Sequence, residues 1–144
     1  MLSKKQAKAF FLGGTILFSI IFLGLSFETV TTSMPSKTNA DDITAAVVRG
    51  KTIWEENNCM GCHTILGEGA YYAPELTRVY SRKGENTIKT ILMMKQPWSP
   101  NGRKMVAYGM TEEEANDAVA FFKWVNEMDL NGFPPEPDPK FSTK

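Results

Sequence analysis

The sequence predicts an all-α chain in two parts, a single membrane-crossing helix followed by one small helical domain. Three observations carry that expectation. Residues 9–27 hold no charge at all. Amphipathic stretches further on repeat their apolar residues at helical spacing, and nowhere does a period-two alternation persist. The 144 residues leave room for one domain beside the helix, and 42% hydrophobic with 11% aromatic content suffices for a packed core. Sixteen Lys and Arg balance sixteen Asp and Glu, which excludes nucleic-acid binding by bulk charge.

At about 1.5 Å per residue, residues 9–27 span about 28 Å, close to the thickness of a bilayer core. Lys4, Lys5 and Lys8 precede the run and Glu28 is the first charge after it, so the positive-inside rule puts the N-terminus in the cytoplasm and the domain outside. A cleaved secretory signal is the rival reading. The run is long for a signal, and no small-x-small cleavage site follows it, so we favour an anchor. The expected layout is a cytoplasmic N-terminus at 1–8, an anchor helix at 9–29, a linker at 30–40, an external domain at 41–132 and a Pro-rich tail at 133–144. The linker is Thr- and Ser-rich and contains Pro35. Four lysines against Glu28 give residues 1–40 a net charge of +3, and twelve basic against fifteen acidic residues give 41–144 a net −3.

Within the domain, Asn39 reads as the cap of a first helix, with Asp41 and Asp42 at its positive end and Ile43, Ala46, Val47, Gly50, Ile53 and Trp54 on one face. Gly50 costs such a helix up to about 1 kcal/mol, which predicts that another helix crosses closely there. A second helix is expected over 87–95, ended by Pro97. The third opens with Thr111-Glu112-Glu113-Glu114, a capping box, carries Ala115, Ala118, Val119, Phe122 and Val125 on one face, and is expected to run to Asn131-Gly132. The tail from Phe133 reads as an extended strap.

The two cysteines and the one histidine of the chain fall together in Cys59-Met60-Gly61-Cys62-His63. Zinc within the monomer lacks a fourth ligand. A thiol redox motif belongs at a strand-to-helix junction, and no such junction is visible. Covalent haem attachment needs what is present, two thiols for thioether bonds and an adjacent imidazole for the iron. His63 is then one axial ligand. With no second histidine, a methionine is the other, and Met105, in the segment between Pro97 and Thr111, is our choice. Met110 is the second, because its place before the helix cap suits a hydrophobic staple with Ala115. The Pro74 carbonyl, eleven residues past His63, is the candidate acceptor for the other ring nitrogen, or else Pro74 is only a turn residue. Arg82, Lys83, Arg103 and Lys104 are candidates to flank the group, or else simply solvated charges.

Residues 48–76, VRGKTIWEENNCMGCHTILGEGAYYAPEL, resemble the cytochrome c subunit family of bacterial nitric oxide reductases. The similarity includes the single anchor, the Gly-Arg-Lys-Met105 segment, the Phe122-Lys-Trp-Val helix and the Asn131-Gly-Phe-Pro-Pro ending. It implies a monohaem class I-like cytochrome c domain with one covalent haem c, held on the outer face of the bacterial inner membrane. It further implies a large haem b-containing catalytic subunit as partner and a soluble periplasmic donor, a cytochrome c or cupredoxin. Single electrons would pass to that subunit's haem and non-haem iron centre, where nitric oxide becomes nitrous oxide, and this chain would hold no substrate site. The resemblance also implies that the loop over 67–76 faces the large subunit, with the carbonyls of Gly69 and Tyr71 on a shared calcium ion. Two carbonyls fall short of the six to eight oxygens calcium takes, so the rest must come from elsewhere. The alternatives are a haem c subunit of a terminal oxidase, a tethered shuttle working alone, a haem sensor or peroxidase with an open iron position, and a haem-free chain with a Cys59–Cys62 disulfide.

Overall fold

A computed structural model describes residues 3–99 and 102–135. The chain divides into two units, Met1–Lys37 and Thr38–Lys144.

In the first unit, helix α1 spans Lys4–Glu28 and opens on a capping box in which Ser3 N–H donates to Gln6 Oε1 at 2.9 Å and Gln6 N–H to Ser3 Oγ at 3.3 Å. None of its side chains is buried. Over the expected linker the backbone stays helical, through a wide π-type turn over Thr29–Ser33 and a short α2, Met34–Thr38. The polar residues do not break the helix because their hydroxyls turn back onto it, Thr31 Oγ1 to the Phe27 carbonyl at 2.7 Å and Ser36 Oγ to the Ser33 carbonyl at 2.9 Å. The wide turn sits just ahead of Pro35, whose missing N–H removes a rung of the ladder. The continuous helix Lys4–Thr38, with a mean hydropathy of 2.2 over its most apolar window, is long and apolar enough to cross a membrane.

In the second unit, α3 (Ala45–Glu56) is capped by Thr44, whose hydroxyl accepts from Val47 N–H at 3.3 Å. Asn39 is not the cap. It adopts a left-handed conformation, φ 48°, which asparagine tolerates, and ties the start of this unit to the end of α6 (Glu112–Glu127). Its Nδ2 donates to the Glu127 carbonyl at 2.9 Å and its own carbonyl accepts from Trp124 Nε1 at 3.1 Å. The predicted close crossing at Gly50 is present. A Cβ there would lie 2.0 Å from the Asp117 carbonyl oxygen and 2.7 Å from Phe121 Cβ, so only glycine lets α3 and α6 meet. Beside the crossing, Arg49 grips the buried Asp117 with Nε and Nη2 at 2.6 and 2.7 Å. Trp54 packs edge-on to Phe122 at 5.9 Å and tilted against Phe121 at 6.3 Å.

Two further helices complete the domain: α4 (Val79–Lys83), which the sequence reading did not include, and α5 (Glu85–Met93), two residues ahead of its expected span. The Thr111–Glu114 capping box on α6 is formed. That helix stops at Glu127 rather than near Asn131, because Arg78 takes the Asn126 and Met128 carbonyls as the chain turns extended at Met128. A two-stranded hairpin, β1 (Thr64–Ile65) and β2 (Glu68–Gly69), turns through Leu66 and Gly67 at φ 53° and 85°. The architecture is otherwise helical. Most of the expected strap at 133–144 lies outside the described residues.

Candidate functional site

The cysteine–histidine segment begins where α3 ends. Asn58, left-handed at φ 49°, turns the chain into a tight 3₁₀ turn over Cys59–Gly61. Cys62 N–H and His63 N–H both donate to the Cys59 carbonyl, at 3.1 and 2.9 Å. A side chain at Gly61 would press on Asn58, with its Cβ 2.9 Å from Nδ2. The two-residue spacing thereby places both thiols and the imidazole on one turn, and both cysteines are free thiols. Burial pushes the Cys59 thiol up from its ordinary pKa, and a hydrogen bond with Tyr108 partly offsets this. Tyr108 is pushed up to about 12, by burial first and then by Cys59.

His63 is buried, and its Nδ1 lies 2.7 Å from the Pro74 carbonyl. A carbonyl only accepts, so Nδ1 carries the proton and Nε2 remains for a metal. The loop that brings Pro74 round is pinned to the cysteine turn by Ala70 N–H to the Met60 carbonyl at 2.9 Å and Ala73 N–H to the Cys62 carbonyl at 2.8 Å. Gly69 permits this closeness, since a Cβ there would fall 2.2 Å from the His63 carbonyl.

Met105 comes from a separate segment of the chain. Residues 98 and 105 form an antiparallel bridge, Trp98 N–H to the Met105 carbonyl at 3.1 Å and Met105 N–H to the Trp98 carbonyl at 2.8 Å. Further back, Gly109 N–H bonds the Met94 carbonyl and Met110 N–H the Leu92 carbonyl, so the excursion between α5 and α6 is a loop closed at its base. Between the walls lies a cleft of about 520 Å³, lined among others by Cys62, His63, Tyr72, Met105 and Tyr108. An apolar recess of about 160 Å³ shares His63, Pro74, Trp98 and Met105 with it and reaches Cys59, Leu92 and Phe122. Met110 lines neither. It is buried in the hydrophobic core, one residue before the Thr111 cap, as is the fully buried Ala115.

Arg103, Lys104 and Lys83 line the cleft, and Arg82 joins Lys83 at the recess. Arg103 lies 5.4 Å over the Tyr72 ring and donates to the Tyr72 carbonyl. Sequence reasoning named these four cations but missed Trp98 and Tyr108, which bracket Met105 in sequence; aromatics on either side of a candidate ligand were the available signal. Gly69 and Tyr71 are both exposed, and Tyr71 is 80% so. No group of three or more His, Cys, Asp or Glu poised for a metal ion occurs among the described residues.

The residues present fit a haem c: two free thiols, an imidazole with one nitrogen already oriented, a thioether lining the same cleft, apolar depth and cations along the lining. The family model for cytochrome c matches residues 47–126. Over 138 residues the chain is 44% identical to the C subunit of nitric oxide reductase from Stutzerimonas stutzeri, covering 92% of this chain and 94% of that protein. It is 35% identical to the C subunit of nitric oxide reductase from Halomonas halodenitrificans (94% and 96% covered) and 34% identical to that from Paracoccus denitrificans (94% and 95%).

The chain belongs to the family of nitric oxide reductase C subunits. Its cytochrome c domain implies a covalently bound haem c, and the apolar N-terminal helix accompanies that domain in the same chain.

Proposed function

We propose that this C subunit homologue is a membrane-anchored electron relay. It takes single electrons from a soluble periplasmic donor, a cytochrome c or cupredoxin, and passes them to a large haem b and non-haem iron subunit that reduces two nitric oxide molecules to nitrous oxide. The observation that carries this reading is His63 and Met105 on one cleft, with both thiols on the turn that bears His63. Haem c, when bound, supplies a one-electron couple.

The chain's own residues do the rest. Cys59 and Cys62 tether the group, His63 presents Nε2 to the iron while Pro74 fixes its ring, and Met105 offers a thioether, which favours the reduced state. Trp98 and Tyr108 would shield the group from water, and Arg103, Lys83 and Lys104, which line the cleft, would offer positive charge to its carboxylates. Residues 9–29 anchor the chain in the inner membrane with the N-terminus cytoplasmic and the domain periplasmic. Gly69 and Tyr71, exposed on the loop over 67–76, offer carbonyls to a calcium ion whose remaining oxygens the large subunit supplies.

A reduced-minus-oxidised spectrum of the detergent-extracted complex tests the reading. Bands of both c-type and b-type haem are expected, together with a denatured chain heavier by one haem. A chain of unmodified mass overturns it.

A further inference from the structure

Just past Pro74 lies a knot of polar contacts that haem binding leaves unused. Glu75 Oε1 accepts from Thr77 N–H at 2.8 Å and also from the Thr77 hydroxyl. The same Thr77 oxygen accepts from Leu66 N–H at 2.7 Å, and Leu76 N–H donates to the Thr64 carbonyl at 2.8 Å. Arg82 closes the knot by donating to the Glu75 carbonyl. Thr77 is completely enclosed. Glu75 Oε2 is buried with no hydrogen-bond partner, an arrangement that costs free energy and that a simple turn does not require, since Ser or Asn caps turns from solvent.

We infer that the Glu75–Thr77 clasp positions the Pro74 carbonyl on His63 and through that hydrogen bond tunes the reduction potential of the iron, an inference that rests on the relay reading above. Residues 63–66 and 74–77 lie side by side, joined by three bonds: His63 Nδ1 to the Pro74 carbonyl, Leu76 N–H to the Thr64 carbonyl, and Leu66 N–H to the Thr77 hydroxyl. Thr77 ends that ladder, and its hydroxyl works in two directions, accepting from Leu66 and donating to Glu75. The Glu75 backbone sits between the two anchored points, so the Pro74 carbonyl cannot withdraw from the imidazole without breaking the clasp. A carbonyl held at 2.7 Å makes the ring a more basic ligand and favours ferric iron. Loosening it favours ferrous iron.

The test is a redox titration of the full chain in its complex, with solvent exchange of the His63 ring N–H followed by NMR. Thr77→Val keeps the shape and removes the hydroxyl; it should move the reduced-to-oxidised ratio at fixed potential about tenfold toward reduced, about 59 mV for a one-electron couple, and speed ring N–H exchange. Thr77→Ser should restore both. Glu75→Leu should match Thr77→Val, while Glu75→Gln, which retains an acceptor oxygen, should stay near the parent. Glu75 is only half-buried, so Glu75→Leu decides the matter should Thr77→Val fail to fold. Native potential and exchange in folded Thr77→Val or Glu75→Leu overturn the inference. So does a Glu75→Gln shift as large as that of Glu75→Leu, which would make charge rather than the clasp the cause. A chain without haem overturns the relay reading instead.

Discussion

The wall that carries His63 and the wall that carries Met105 face the same cleft and are built in opposite ways. His63 stands on a tight turn directly after α3, and its ring is tied to a carbonyl eleven residues away, with each intervening loop bond equally short in sequence. Met105 hangs from a loop between α5 and α6 whose closing bonds join residues 92 to 110, 94 to 109 and 98 to 105. Its neighbours Lys104, Val106 and Ala107 are exposed. The 98–105 bridge is itself short, but the base of the methionine loop at 92–110 and 94–109 joins the ends of α5 and α6 and depends on both helices being docked, whereas the bonds on the histidine side all fall within residues 59–77 of one continuous stretch. The histidine wall is therefore preorganised by local sequence, and the methionine wall is assembled by the core.

The most damaging change should be Gly50→Ala, which attacks the crossing both walls rest on. With backbone 2.0 Å from the new Cβ, α3 and α6 must separate, at a cost on the order of 3 kcal/mol. Denaturant unfolding should show it, and a change below about 1 kcal/mol would mean that the crossing adapts. Met105→Ala separates the walls. It should leave the histidine side intact, cost about 2 kcal/mol at this half-buried site, and convert the iron to a high-spin form that binds carbon monoxide, whereas Met110→Ala should stay low-spin while losing core stability. An unchanged low-spin spectrum in Met105→Ala would break the comparison outright.

Smaller still is Thr111→Ala, which removes the cap one residue beyond the loop's anchor at Met110. It should cost about 1 kcal/mol, and hydrogen exchange should rise at the start of α6 and at Met110 more than at His63. The smallest effect is a pH dependence of the same cap. Hydrogen bonds from the Thr111 backbone N–H and hydroxyl hold Glu114 below the ordinary carboxylate value of 4.5. Its contribution is complete above that value and fades as acid takes the pH down through the lowered one. Thermal melts of the parent should lose stability on that descent more steeply than melts of Glu114→Gln.

How much was legible follows the same division. The Cys59–His63 turn, the Pro74 acceptor, the capping box at Thr111 and the need for a close neighbour at Gly50 all come from residues no more than eleven positions apart, where spacing and chemistry speak directly. The misreadings lay where distant chain decides. Asn39 looked like a cap because acids follow it, yet its side chain bonds Glu127 in α6. The end of α6 looked open as far as Asn131, yet Arg78, 48 residues away from Asn126, takes its last carbonyls. Residues 30–38 stay helical for a local reason instead, since the Thr31 and Ser36 hydroxyls bond carbonyls four and three residues back.

By itself the sequence determined an apolar helix long enough to span a bilayer, an α-helical domain, and a turn able to hold a haem by two sulfurs and one nitrogen, since each depends on short stretches of chain. Only the tertiary structure decided that Met105 and not Met110 lines the cleft with His63, which cations line it too and where the helices stop. Those outcomes depend on loops being closed by a packed core, and the partners that close them lie far apart along the chain.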